Sequence, residues 1–155
     1  MTRQANEPLL SLQRLVGMAP WNVEVGHGSF LTMEFGKECV EEFRGKSHIH
    51  GEWHLWLQCC VWRLEKGERI LVASEDKKEL LARTIRRLKF GPLVEANVET
   101  PGLDLRLTFE SGIRLATFTI NRYRYEQWEL FRPDGRVLTA KAGGVLTEER
   151  AGGLA

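Results

Sequence analysis

Alternating apolar and polar residues are the dominant pattern of the chain, and they predict antiparallel sheet. In residues 103–109, four apolar residues alternate with three polar ones, as in a strand with one buried and one wet face. A three-residue turn with Gly112 at a positive φ then places Leu115 opposite Leu107 on the next strand. This register keeps both leucines on the buried face.

The richest apolar stretch is residues 51–75, which contain three of the five tryptophans and two of the three cysteines. It predicts a long strand, a turn at residues 65–68 and a return strand. Both faces of the long strand are apolar, so we expect it to lie inside a sheet with cover on both sides. Residues 125–131 and 136–141, on either side of a Pro-Asp-Gly turn, predict a shorter hairpin of the same kind.

Two helices are predicted. The first is short, begins at Pro8 and has an apolar face around Leu12. The second begins after Asp76, which forms a capping box with Glu79, and it runs to about Lys89. The residues of the second helix predicted to face inward are Leu80, Leu81, Ile85 and Leu88.

The segment before the Trp-rich stretch has a weaker pattern. Residues 21–25 and 30–35 predict a first hairpin, because each is apolar at alternate positions and a glycine-rich turn separates them. Residues 37–50 are largely polar. They predict a connection with one helical turn before Gly45.

The two halves of the chain share short sequence patterns in the same order. Such an order is typical of a duplication with changes in loop length, although two unrelated antiparallel meanders also share short patterns. The matched segments are residues 9–10 with 80–81, 22–24 with 97–99, 31–36 with 107–112, 53–56 with 128–131, and 67–73 with 135–140 with one gap.

The predicted fold is therefore α+β. We expect two α-β-β-β-β repeats, approximately residues 8–75 and 76–142, related by a pseudo-two-fold axis. Each repeat contributes one helix to a predominantly antiparallel sheet, in a single domain over residues 1–155. Residues 143–155 are predicted to be a frayed tail.

Length and composition are those of one ordinary globular domain. The chain has 155 residues, 43% apolar and 28% charged, so it can bury a core without disulfides or a structural metal. Its net charge of +1 gives no general attraction to nucleic acid. Cys39, Cys59 and Cys60 are odd in number, which predicts reduced thiols. With no 18-residue apolar run and no apolar stretch at the start, the sequence predicts a cytoplasmic protein without a membrane segment.

A histidine cluster is the best candidate for metal binding. In an extended chain His48, His50 and His54 share one face with Glu52, and imidazole with carboxylate suits zinc. Neighbouring side chains on that face lie roughly 6.6 Å apart, so a further ligand such as His27 or Cys39 would have to come from elsewhere. The favoured alternative is that these are ordinary strand histidines.

Basic and aromatic residues suggest a second candidate, a nucleic-acid surface. The second predicted helix is rich in arginine, and the segment after residue 120 alternates arginine with tyrosine, whose rings can stack on bases. The alternative is a solvated helix face and an ordinary strand. The candidate residues are Arg83, Arg86, Arg87, Arg122, Tyr123, Arg124 and Tyr125.

Catalytic patterns are weak. His27 and Ser29 are close in a Gly-His-Gly-Ser turn, but no nucleophile elbow or acidic partner accompanies them. Cys59 and Cys60 do not form a Cys-x-x-Cys motif. The sequence thus predicts a protein that is not an enzyme, with no cofactor.

The long strand also carries the candidate partner-binding residues. Trp56 and Trp62 share a face with His54. If no helix covers that face, its tryptophans are of the type favoured as anchors at protein interfaces.

The segment Trp-Glu-Leu-Phe-Arg-Pro-Asp-Gly-Arg-Val-Leu at 128–138 resembles the closing hairpin of small bacterial proteins, some associated with toxin-immunity loci. Residues 26–36 are similar in the same way. The resemblance implies a stoichiometric binder. We therefore expect a protein-binding module of the immunity or accessory type, which could also form homo-oligomers, with nucleic-acid and metal binding as alternatives.

Overall fold

A computed structural model describes residues 9–123 and 125–152, and within these ranges the chain forms eleven strands and two helices. The helices are α1 (Leu10–Gln13) and α2 (Lys78–Arg87). The strands are β1 (Trp21–Val25), β2 (Leu31–Phe43), β3 (Lys46–Leu57), β4 (Val61–Lys66), β5 (Arg69–Ala73), β6 (Leu93–Glu99), β7 (Asp104–Phe109), β8 (Ile113–Phe118), β9 (Glu126–Phe131), β10 (Arg136–Lys141) and β11 (Val145–Arg150). The prediction of an α+β fold with predominantly antiparallel sheet is confirmed.

The strands form two sheets, each drawn from both halves of the chain. Sheet I has the order β1-β2-β3-β9-β10-β11, and sheet II has the order β5-β4-β8-β7-β6. All the pairings are antiparallel. Most buried apolar side chains of the two sheets belong to one core cluster, which α1 and α2 extend at the sheet edges.

The predicted long Trp-rich strand is in fact two strands in different sheets. The chain leaves sheet I after Leu57 and enters sheet II at Val61. The break shifts the buried positions from odd to even numbers, which is why both faces of the stretch look apolar in the sequence. The buried residues are Trp53, Leu55 and Leu57 in β3, and Cys60, Trp62 and Leu64 in β4.

Residues 37–50 form a projecting ribbon, which we call the arm, so the predicted polar connection with a helical turn is wrong. Strands β2 and β3 continue through it and reverse at Arg44 and Gly45, whose φ angles are 52° and 74°. Two positive φ values are typical of a type I′ hairpin turn. Because most of the arm is exposed on both faces, it lacks the alternation that marks a half-buried strand.

The C-terminal hairpins agree with the sequence except at the tail. Leu107 pairs with Leu115, Gly112 has a φ of 90°, and β9 and β10 form the predicted last hairpin. Val145–Arg150 is a paired edge strand rather than frayed chain. Its backbone pairs fully with β10, whereas its mostly polar side chains gave no strand pattern. Residues 153–155 lie outside the described ranges.

The helices pack beside the edge strands of the sheets. In α1, Leu12 is buried, and the following Gly17 donates its backbone N–H to the Leu93 carbonyl at 2.8 Å. Helix α2 packs against β1 and β5 and buries Leu81 and Ile85. Leu80, predicted to face inward, is partly exposed. The predicted capping box is absent, because the Asp76 carboxylate accepts the Ala73 N–H instead. Pro8 lies outside the described ranges.

Candidate functional site

The outer face of sheet I presents aromatic, histidine and acidic side chains across four adjacent strands. Since Trp53 and Leu55 point into the core, the alternation of β3 sends His54 and Trp56 outward. The register carries the same side through β1, β2 and β9. At the edge of the sheet, β1 also packs against α2. The aromatic–histidine face, as we call it, consists of Trp21, Phe30, Thr32, Glu34, His54, Trp56, Glu129 and Phe131.

A buried carboxylate orders the centre of this face. Glu34 is only 4% exposed, although it points away from the core. Its Oε2 accepts the Gly51 backbone N–H at 2.8 Å, and its Oε1 lies 2.5 Å from His54 Nδ1. A buried carboxylate without such partners would be costly, so these contacts fix the side chains of both residues.

Gly51 is required for this approach of the strands. A Cβ atom built there would lie 2.5 Å from the Phe35 carbonyl oxygen. A bulge in β2 after Phe35 accompanies this close approach: two residues of β2, Gly36 and Lys37, stand opposite the single residue Glu52 of β3. The arm begins immediately beyond the bulge.

Two aromatic contacts order the exposed rings on either side of Glu34. The Phe30 and Trp56 ring centroids lie 6.0 Å apart with an interplanar angle of 68°. The His54 and Phe131 rings lie 5.5 Å apart at 66°. Both arrangements are edge-to-face, the preferred geometry of aromatic pairs. These contacts restrict the orientations of the four rings.

Glu129 adds a second carboxylate beside Trp56. Burial raises the pKa of Glu129, and the hydrogen bond from Gln58 Nε2 to Oε1 offsets only part of that effect. Glu126 also raises the pKa, while His54 lowers it. This carboxyl group is thus easier to protonate than an ordinary glutamate.

The arm continues the same side of β3 with His50 and His48. His50 Nδ1 donates to the Gly51 carbonyl at 2.7 Å, and Nε2 lies 3.1 Å from Glu41 Oε1, an ion-pair distance without hydrogen-bond alignment. Burial lowers the pKa of His50, but the Gly51 carbonyl and the Glu41 carboxylate outweigh burial and raise it above 6.5. The His48 ring lies 6.5 Å from that of Phe43.

The predicted metal site at His48, His50 and His54 is not assembled. His54 is engaged with Glu34 and His50 with Glu41, two separate pairs along the strand. Among the described residues, no three His, Cys, Asp or Glu side chains converge as metal ligands. The wide same-face spacing of an extended strand is the physical reason.

Trp62 lies in the core and not on the aromatic–histidine face. It is 1% exposed, and its Nε1–H donates to the Ser29 carbonyl at 2.7 Å. The shift of the buried positions after Leu57 separates it from Trp56. Cys60 is buried in the same region, and burial raises the pKa of its thiol to about 12.

The predicted nucleic-acid residues fall into three groups. Arg83 and Arg87 share one side of α2, whereas Arg86 faces β1. Tyr123 and Tyr125 are exposed in the connection between β8 and β9, with ring centroids 6.4 Å apart. The connection also contains Arg122, which is exposed. Arg124 lies outside the described ranges.

Glu34, Trp21, Phe131 and Glu129 are members of the face that sequence patterns missed. The cross-strand register places each of them on this face. That register joins strands that are distant in the chain or that contain a bulge. The one available signal was the alternation of β2, where Leu31, Met33 and Phe35 point inward and therefore send Glu34 outward.

Comparison with known proteins gives no match among family models, curated proteins or solved structures. Neither helix in the described part of the chain has the length and apolar character needed to cross a membrane.

Proposed function

We propose that the chain is a non-enzymatic protein-binding module that contacts its partner through the aromatic–histidine face. The main supporting observation is a set of partly exposed aromatic rings, ordered by edge-to-face contacts, on the outer face of sheet I. Ordered aromatic side chains lose little entropy on binding, and they dominate the energetics of protein interfaces. A stoichiometric partner of the immunity or accessory type fits such a surface.

The arm enlarges this surface. Its outer side continues the face through His50 and Phe43, while its other side presents the cross-strand pair Val40 and Ile49. These two side chains are 63% and 56% exposed. An apolar pair on a projecting ribbon is a feature that monomeric domains avoid unless another surface covers it.

Quantitative affinity purification from the native host tests this function. The full chain should retain a stoichiometric protein partner, and Thr32→Arg should lose it, because Thr32 pairs with Trp56 and an arginine there would cover the ring. Ile70→Arg is the matched control, since Ile70 is exposed on the edge strand β5 of the other sheet. Recovery of the protein without a partner, or equal retention by both folded variants, would contradict the proposal.

We also propose that the two halves are a duplication, with five strands per unit instead of the four expected from sequence. The sheet I order β1-β2-β3-β9-β10 corresponds to the sheet II order β6-β7-β8-β4-β5. Helix α1 packs on β6, and α2 packs on β1. Trp62 donates to the Ser29 carbonyl before β2, and Trp128 donates to the Leu103 carbonyl before β7. In this alignment Trp62, and not Trp53, corresponds to Trp128.

Nucleic-acid binding stays a prediction with weaker support. The candidate arginines of α2 point to two sides of the helix, and the candidate tyrosines lie in the connection between β8 and β9. Salt-dependent binding of DNA or RNA that weakens in Arg86→Glu plus Arg87→Glu would favour it over protein binding.

A further inference from the structure

A groove lies between strand β1 and the C-terminal half of helix α2, and no residue of the aromatic–histidine face lines it. Its volume is about 710 Å³. Val23, Ile85 and Leu88 contribute apolar surface, and Arg86 and Lys89 line it with positive charge. The groove is therefore built to accept a chain with both apolar and acidic groups.

One wall of the groove is the open edge of sheet I. Among the described strands only β2 pairs with β1, and β1 residues 22–25 line the groove. The register with β2 is regular at Glu24 and Val25, after a bulge at the start of the strand. An edge strand presents unpaired N–H and C=O groups, which an extended peptide can pair by adding a strand.

The basic side chains of the groove are exposed and have no acidic partner among the described residues. No carboxylate of the described residues lies within ion-pair distance of Arg86 or Lys89. The single acidic residue of the lining, Glu24, leaves the groove with a net positive charge. This charge is complementary to that of an acidic ligand.

We propose that this groove binds an extended acidic segment of a partner protein as an added strand on β1. Alternate side chains of the segment would lie against Val23, Ile85 and Leu88, and its carboxylates would meet Arg86 and Lys89. This binding uses a different surface from that of the proposed function, so either can fail while the other stands.

A phage-displayed library of random decapeptides, selected on the full-length protein, is the probe. We expect enrichment of peptides that combine acidic with apolar residues. The most enriched peptide is then synthesised with a fluorescent label, and its affinity is measured by anisotropy. Arg86→Glu plus Lys89→Glu should weaken binding at least tenfold. The matched control is Arg83→Glu plus Arg87→Glu, which makes the same charge change on the other side of α2 and should change affinity less than threefold.

Backbone pairing is tested on the peptide itself. Two peptides are compared, one N-methylated at the odd positions and one at the even positions. One of them should lose binding and the other should keep it, because only alternate N–H groups of an added strand face β1. Trp56→Ala should leave peptide affinity unchanged.

Several results would overturn the proposal. These are enrichment of no peptide, enrichment of peptides without acidic residues, and equal loss of affinity in the groove variant and the control. Competition by a DNA oligonucleotide that depends on Arg86 and Lys89 would assign the groove to nucleic acid instead. Circular dichroism establishes that each variant is folded. If the charge-reversed groove variant unfolds, Arg86→Gln plus Lys89→Gln replaces it, with Arg83→Gln plus Arg87→Gln as its control. The groove variant should still lose more peptide affinity than this control.

Discussion

Glu34 and His54 lie opposite each other on β2 and β3, and the buried carboxylate of the first meets Nδ1 of the second at 2.5 Å. Replacing His54 with phenylalanine keeps a ring beside Phe131 but removes the partner of Glu34 Oε1, while Oε2 keeps the Gly51 N–H. We expect a loss of about 1–3 kcal/mol in the free energy of unfolding, the cost of leaving a buried polar group unpaired.

Because the two residues act as a pair, the double variant Glu34→Gln plus His54→Phe should lose less than the sum of the single losses. The expected coupling is about 0.5–3 kcal/mol, measured by urea unfolding. Glu149→Gln on the distant strand β11 is the control, and it should be additive with His54→Phe within about 0.5 kcal/mol. Additivity of the Glu34 and His54 losses would show that their contact has no energetic weight.

Gly51→Ala should destabilise the protein strongly. The new Cβ would meet the Phe35 carbonyl oxygen, a backbone atom that cannot rotate away. Overpacking of this kind costs about 1–3 kcal/mol or more. Gly26→Ala is the comparison, because the atom nearest to its Cβ lies at 3.9 Å. Similar melting temperatures for the two variants would contradict the close approach of β2 and β3.

Trp62→Phe and Trp128→Phe should cost similar amounts of stability. Each removes an indole N–H that serves a backbone carbonyl, and each leaves a gap where a fully buried ring stood. We expect about 1–3 kcal/mol for each, from thermal or urea unfolding. Trp56→Phe, on the partly exposed face, should cost less. A large difference between the two core variants would argue against equivalent roles in a duplicated unit.

Stability should depend on pH through His50. Its pKa is raised in the folded protein, so its protonation stabilises the fold. That contribution is fully present below the unfolded pKa of about 6.5 and is lost as pH rises through the higher folded pKa. The difference in unfolding free energy between the wild type and His50→Gln should therefore shrink from pH 5.5 to pH 8.

The effect of His50 will be small, because solvent screens a partly exposed ion pair. In a Glu41→Gln background, the pH-dependent difference caused by His50→Gln should decrease. If this free-energy difference instead grew with pH, or were unchanged by Glu41→Gln, the assignment of the raised His50 pKa to Glu41 would be wrong.

Cys60 should resist alkylation in the native protein. Burial raises the pKa of its thiol to about 12, so almost none of it is thiolate at neutral pH. Mass spectrometry after iodoacetamide treatment should show modification of the partly exposed Cys39 well before Cys60. In urea, Cys60 should become reactive. Rapid native modification of Cys60 would contradict its burial.

Local patterns sufficed where a turn and its two strands are adjacent in the chain. The Leu107 and Leu115 pair was predictable because a glycine turn fixes the register and both strands have one wet face. The last hairpin, β9 with β10, was predictable for the same reason.

Patterns failed where the chain changes sheets or leaves the core. Leu57 and Cys60 are both buried although they are three positions apart. The buried positions change there from odd to even numbers, and nothing in an apolar run marks that change. The arm has no half-buried face, and β11 pairs mainly through its backbone. His54 and Trp56 were correctly placed on one side of a strand, whereas Glu34 could not be added without the cross-strand register.

The exchange of strands between the sheets also governs how the protein is made. Strand β3 needs β9 and strand β4 needs β8, so the first half of the chain leaves the ribosome with two interior edges still open. These two pairings must wait until the second half has been synthesised, and contacts so distant in sequence form slowly. During that interval the unpaired edges of β3 and β4 are exposed to other chains, and a chaperone that shields them would raise the yield of folded protein.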